Sequence, residues 1–170
     1  SLNFLVLMGM AMSSASKSAS SGELIIYLHN AWYEMHKDGT PHPKFDVYDL
    51  DGIRGVLGEG AELMTPERGA DAVPSAAAAM LVDIIRAELA AGRPASAIKV
   101  IGASKGGIVA MHASAQLKEP DIRWVVIGSC SDVAFSPRAP RMTGRVLSIY
   151  EASDSIGKSC SRDAAFAEAT

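Results

Sequence analysis

The sequence of 170 residues lacks the features that mark several protein classes. A net charge of only −3 gives no reason to expect nucleic acid or an anionic membrane as a partner. The four histidines and two cysteines lack the spacing of any zinc site, and no pattern predicts another cofactor. No apolar run is long enough to span a bilayer. The composition, 48% hydrophobic and 21% charged, is that of a globular protein. The chain is long enough for one domain with a hydrophobic core.

The first 21 residues differ in composition from the rest. Apolar residues fill Leu2–Met12, and 13–21 are almost all Ser and Ala, as in the hydrophobic core and cleavage zone of a secretory leader. We therefore expect 1–21 to be a leader-like or flexible segment and 22–170 to be a single domain. A leader predicts export to the periplasm or medium, and its absence predicts the cytoplasm. An uncleaved segment would instead expose apolar surface to a partner or a second copy.

The remaining sequence alternates short apolar runs with helical patterns, which is typical of a parallel sheet covered by helices. Predicted strands are Glu23–His29, Ala61–Thr65, Ile98–Ile101, Asp121–Gly128 and Arg145–Glu151. The clearest helix runs from Pro74, which suits a first turn, to Ala91, just before Gly92. Its apolar stripe is Met80, Leu81, Ile84, Ile85 and Leu89. The helical spacing of apolar residues within 49–57 predicts a weaker helix.

One stretch joins a strand to a helix through the sequence Gly102-Ala103-Ser104-Lys105-Gly106. In a Gly-x-Ser-x-Gly corner the serine is held in a strained turn, so the residues two before and two after it must nearly lack side chains. The spacing differs from that of a phosphate-binding loop and from that of a dinucleotide fingerprint. A serine that merely caps the following helix is the simpler alternative. The flanking strand and helix favour a nucleophilic Ser104.

This corner and the order of strands resemble the α/β-hydrolase family, in particular its small bacterial members, over about Glu23 to Asp154. The resemblance implies an α/β fold with a mostly parallel open sheet and helices on both faces. The first two strands of the family have no counterpart in this sequence, and neither does its last strand. The implied activity is hydrolysis of an ester or a similar small acyl substrate, with no cofactor.

The resemblance also implies roles for individual residues. Ser104 is the expected nucleophile, and the backbone N–H of Lys105 is one oxyanion donor. The other donor is the N–H of Asn30 or Ala31, in the loop after the first strand. Asp154 follows the last strand, where the family has its catalytic acid, and we keep Asp132 as the second choice.

The base that should complete this set is missing from the sequence. In the family it is a histidine that follows the acid, and no histidine occurs after His112. We expect His29 to be structural and His112 to lie too far along its helix. The chain is therefore expected to be inactive or nearly so. The competing interpretation is a binding module that has lost its triad and pairs through the apolar N-terminus or the open sheet edge.

Four further expectations concern residues around this corner. Residues 32–46 follow the first strand and are expected to form a wall of the substrate cleft, or else a surface loop whose aromatic residues pack locally. Arg68 is expected to be a solvated loop residue, and the Lys105 side chain is expected to point to solvent or the cleft rim. Cys130 and Cys160 each lie beyond the end of a strand on the same edge of the sheet, and a disulfide between them is our hypothesis.

Overall fold

Five parallel strands form one open sheet in the computed structural model, which describes residues 22–131 and 140–160. In chain order they are β1 (Leu24–Leu28), β2 (Glu62–Met64), β3 (Ile98–Ala103), β4 (Arg123–Ile127) and β5 (Arg145–Ile149). Their order across the sheet is β2-β1-β3-β4-β5. Every neighbouring pair is parallel. The predicted α/β fold is confirmed, with strand ends shifted by one or two residues, so that Glu151 lies beyond β5.

Within the described residues, four α-helices lie between these strands. They are α1 (Ala31–Met35), α2 (Leu50–Leu57), α3 (Pro74–Ala90) and α4 (Lys105–Leu117). Pro74 begins α3 because its missing N–H would have no helical partner at that position. The apolar stripe predicted for α3 is partly wrong: Met80 is 64% exposed, whereas Ala77 and Ala78 are buried. These alanines bring α3 close to the sheet and to α4.

The main core lies between one face of the sheet and the pair α3 and α4, which pack against each other. Alternate residues of β3 and β4, such as Val100 and Trp124, are buried in it. On the other face, Tyr27 of β1 is hydrogen-bonded through its hydroxyl to that of Tyr48, two residues before α2. On this face the segment that leads into α2 therefore covers β1.

The second face is covered unevenly. All five residues of β1 are buried, but the residues of β5 that point to this face are exposed, Leu147 by 56% and Ile149 by 44%. Within the described residues, β5 is also an edge strand without a partner on its outer side. The predicted open sheet edge is therefore present in the described part of the chain.

A buried arginine anchors the end of the domain where the strands begin. The Arg93 side chain, 2% exposed, pairs with Glu88 of α3 at 2.9 Å and with Glu62 of β2 at 2.5 Å. It also donates to the Gly22 carbonyl at 2.6 Å. Arg93 thus ties α3 and β2 to the residues that lead into β1.

At the opposite end, α4 begins in direct contact with the sheet. A Cβ atom on Gly106 would lie 2.2 Å from the Leu28 carbonyl oxygen, and one on Gly102 would lie 2.5 Å from the Gly106 oxygen. A Cβ atom on Gly107 would lie 1.8 Å from the hydroxyl of Ser129, just after β4. The three glycines thus let the first turn of α4 approach the ends of β1, β3 and β4.

A disulfide joins the segments that follow β4 and β5. Cys130 and Cys160 are both buried, their Cα atoms are 5.1 Å apart, and their sulfurs are bonded. Beside the disulfide, the Lys158 N–H donates to the Cys130 carbonyl at 2.7 Å. The disulfide hypothesis agrees with the structure, and the bond closes the loop that carries Asp154.

None of the helices in the described ranges is long and apolar enough to cross a membrane. The N-terminal segment, on which the prediction of a leader and of export depends, lies outside those ranges.

We expect Gly106→Ala to lower the free energy of unfolding by at least about 2 kcal/mol, because its methyl group would overlap backbone that has no room to move. Gly55→Ala is the matched control. Gly55 lies in α2 with nothing within 4 Å of an added Cβ, so this change should stabilise by about 0.5–1 kcal/mol. Urea denaturation of both variants measures the difference. Equal stabilities would contradict the packing described for α4.

We expect loss of the disulfide, through Cys130→Ala with Cys160→Ala, to lower the free energy of unfolding by about 3–4 kcal/mol. The reason is that the bond closes a loop of 30 residues in the unfolded chain. Denaturation of the variant and of the oxidised protein measures this. Mass spectrometry of the non-reduced protein serves as the control, and two free thiols there would refute the bond.

Candidate active site

Ser104 occupies a strained corner between β3 and α4. Its backbone has φ of 51° and ψ of −117°, a region that residues other than glycine rarely adopt. Its N–H donates to the Ile127 carbonyl at 2.8 Å, and its own carbonyl accepts from the Gly107 N–H at 2.9 Å. The hydroxyl makes no capping bond to α4. The simpler alternative, a helix-capping serine, therefore does not describe this residue.

The N-termini of α4 and α1 both lie near this corner. Lys105 is the first residue of α4 and Ala31 is the first residue of α1, so neither amide N–H can bond within its own helix. Asn30 is the N-cap of α1, and its side chain accepts from the Tyr33 N–H at 2.9 Å. The φ of Asn30 is −77°, so its backbone is not in the left-handed conformation that asparagine tolerates. Its contribution to the turn is the side-chain cap.

A cleft of about 450 Å³ opens beside the corner, at the ends of β1, β3 and β4. Ser104 and Asp154 both line it, together with Asn30 and Ala31. The predicted wall is present as well. From the segment 32–46 the cleft receives the side chains of Trp32, Met35, His42, Lys44 and Phe45. The structure thus brings the predicted nucleophile, acid and second oxyanion candidate to one place.

Asp154 is held by its own loop. One of its carboxylate oxygens accepts from the Ile156 N–H at 2.9 Å. Hydrogen bonds from the Ile156 and Gly157 amides lower the pKa of Asp154 below its usual range, so the side chain is anionic at neutral pH. Gly157 packs against Gly128 at the end of β4, which places this loop over the cleft. Asp132, the second choice, lies outside the described residues.

The histidines near the cleft have different surroundings. His29, 1% exposed, accepts from the Arg68 N–H at 3.3 Å through Nε2, and its Nδ1 lies 3.1 Å from the Asn30 carbonyl oxygen. Burial, more than any other cause, lowers the pKa of His29. His42 is in the cleft, where its Nδ1 accepts from the Lys44 N–H at 3.1 Å. His42 belongs to the predicted cleft wall, although the irregular pattern of its loop did not show which side chains of this segment reach the cleft.

Because His42 Nδ1 accepts from the Lys44 N–H, the neutral ring carries its proton on Nε2. In this arrangement Nε2 can donate a hydrogen bond but cannot accept a proton. The ring is stacked on Phe45 at 4.8 Å between centroids, and its edge meets Trp32 at 4.5 Å. Within the described residues no hydrogen bond joins a histidine to Asp154. These ranges also contain no cluster of side chains suited to a metal ion.

Behind the cleft lies a buried group of charges that the sequence did not predict. Glu34 of α1 has a side chain only 1% exposed, and Arg68 Nε donates to its Oε1 at 2.7 Å. Lys105 Nζ pairs with its other oxygen, Oε2. The expectation of a solvated Arg68 is therefore wrong, since its side chain is 6% exposed. The expectation that the Lys105 side chain points to solvent or the cleft rim is also wrong, because Glu34 draws it inward.

We expect acidification to destabilise the protein partly through His29. Its folded pKa is lowered, so below about pH 6.5 the unfolded ring takes up a proton that the folded ring refuses. This stability is complete above pH 6.5 and is lost as pH falls toward the folded pKa. Between pH 7 and pH 5 the wild type should lose up to about 1.4 kcal/mol per pH unit more than His29→Gln. Parallel curves from urea denaturation would contradict this.

The family model described as phospholipase/carboxylesterase matches residues 63–143, a little under half of the chain. The matched stretch includes the Ser104 corner and the two strands on either side of α4. No curated protein sequence matches the chain. The phospholipases and carboxylesterases of this family are α/β hydrolases, and the parallel sheet has the fold expected of them. The match and the sheet together confirm the resemblance to the α/β-hydrolase family on which the sequence predictions rest.

Proposed function

We propose that this chain carries the nucleophile, the oxyanion hole and the acid of a serine hydrolase that acts on an ester or a similar acyl substrate. The observation that carries the proposal is the strained turn at Ser104, which opens on the cleft that Asp154 also lines. Such turns persist where the surrounding structure enforces them, and here three glycine contacts do so.

In this mechanism the Ser104 Oγ attacks the acyl carbon, and the carbonyl oxygen becomes an oxyanion. The Lys105 amide stabilises that charge from the first turn of α4. For the second donor the choice was Asn30 or Ala31, and neither amide has a partner within α1. We favour the amide of Ala31, because the Asn30 backbone is hydrogen-bonded to the Tyr48 hydroxyl.

The acyl group would occupy the apolar part of the cleft. Met35, Phe45 and Ile156 line it and are each more than half exposed, which leaves their surface available to a substrate. Lys44 lies over the Phe45 ring at 5.0 Å and adds one positive charge to this wall. The cleft therefore suits a small acyl substrate with an apolar portion.

The general base is the missing component. His29 is buried behind the cleft, and His42 is arranged as a donor, so neither is in the state required to take the proton of Ser104. Asp154 is the residue that would orient a histidine at this site. We therefore infer that this chain turns over little substrate, although it carries the amides proposed for the oxyanion hole.

We expect a fluorophosphonate probe to label Ser104 weakly or not at all in this chain. A form of the protein that continues past residue 170 and adds a histidine should be labelled strongly, and Ser104→Ala should abolish that labelling. The measurement is in-gel fluorescence, with the labelled peptide identified by mass spectrometry. Strong labelling of the present chain at Ser104 would refute the inferred inactivity.

The second candidate function is a binding module. The exposed Leu147 and Ile149 on the edge strand β5 favour it, because such an edge can pair with another chain. Failure of the probe to label either form would favour this alternative over a hydrolase.

A further inference from the structure

We propose that Glu34 is a positioning residue that fixes the separation of the two oxyanion donors by pairing with Lys105 and Arg68. The proposal rests on the proposed function, because it assumes that the Lys105 and Ala31 amides bind the oxyanion. The Glu34 side chain is buried and does not line the cleft, yet in this role it determines how well the two amides bind the oxyanion.

The connection follows from where Glu34 lies. It is in α1 one helical turn after Ala31, and its carboxylate reaches Lys105, the residue directly after Ser104. The two proposed donors belong to separate segments, one following β1 and the other following β3. The Glu34–Lys105 pair is a side-chain bond between these segments. A change in that bond would therefore alter the distance between the donors.

Arg68 extends the connection to a third segment. From the loop after β2 it donates through Nε to Glu34 and through Nη2 to the His29 carbonyl, while its own N–H donates to His29 Nε2. These bonds hold the end of β1, from which Asn30 and Ala31 continue. Glu34 and Arg68 together therefore fix the whole turn that presents the second donor.

Stability alone is a poor reason for this arrangement. Burying a carboxylate and two cations costs several kcal/mol per ion, and apolar residues of similar volume are often as stable. Moreover, Arg68 Nη1 is buried without a hydrogen-bond partner among the described residues, which adds a further cost. Ion pairs fix the positions of the groups that they join. An oxyanion hole requires such fixed positions for its donors.

The test uses phenylboronic acid, which does not depend on a general base. The Ser104 Oγ forms a bond to boron, its proton leaves to solvent, and the product is a tetrahedral anion that resembles the oxyanion intermediate. Benzyl alcohol serves as a neutral ligand that forms no such adduct. Both affinities follow from fluorescence, because Trp32 lines the cleft whereas Trp124 is buried in the core.

We expect Glu34→Gln to weaken phenylboronic acid binding about tenfold or more while benzyl alcohol binds as before. Glu88→Gln is the matched control. It removes one carboxylate from the buried Arg93 at the far end of the strands and should change neither affinity. A purely structural role for Glu34 would alter both affinities together or neither.

Lys105→Met decides the matter if Glu34→Gln fails to fold, because it keeps the Lys105 amide and the Glu34–Arg68 pair. Selective weakening of phenylboronic acid binding in this variant supports the proposal, and unchanged binding overturns it. Unchanged binding in a folded Glu34→Gln overturns the positioning role alone. Wild-type protein that binds no phenylboronic acid, or Ser104→Ala that still binds it, overturns the proposed function and the positioning role together.

Discussion

The close approach of α4 to the sheet is the constraint on which the rest of the site depends. The first turn of α4 lies so near the end of β1 that Gly106 has no room for a Cβ atom. This contact forces the chain through the strained turn at Ser104 and aims the N-terminus of α4 at the cleft. It also brings Lys105 within reach of a carboxylate on α1. One steric requirement therefore accounts for the strained turn at Ser104, the position of the Lys105 amide and the reach of Lys105 to Glu34.

The two halves of the site are held by different physical means. Ser104 and its neighbouring amides lie at the ends of regular elements, where sheet packing and buried ion pairs fix them. Asp154 lies on an irregular loop that is closed by the Cys130–Cys160 bond and by backbone hydrogen bonds to its carboxylate. The hydrogen bonds within this loop lower the pKa of Asp154 and so keep its side chain ionised.

The sequence predicted those features that depend on local pattern. The apolar strands, α3 with Pro74 at its start, and the Ser104 corner follow from periodicity and from spacing that sterics requires. Glu34 and Arg68 were not predictable in this way, because their importance comes from a contact between residues 34 positions apart. Arg68 resembles any loop arginine until the fold surrounds it. The wall formed by residues 32–46 was predictable from its place after β1, but which of its side chains reach the cleft, His42 among them, was not.

The buried charges offer a way to hold the proposed oxyanion amides in place that does not depend on a triad. An oxyanion hole is useful only if its dipoles are already oriented before charge appears, since reorienting them would cost the energy they supply. In the positioning role proposed for Glu34, that orientation depends on Glu34, Arg68 and the packing of α4, none of which requires a histidine that accepts the proton of Ser104. If the proposed roles hold, the residues that bind the developing charge and the residues that move the proton are separate structural units. The proposal therefore predicts that the chain binds a tetrahedral anion even where it hydrolyses no ester.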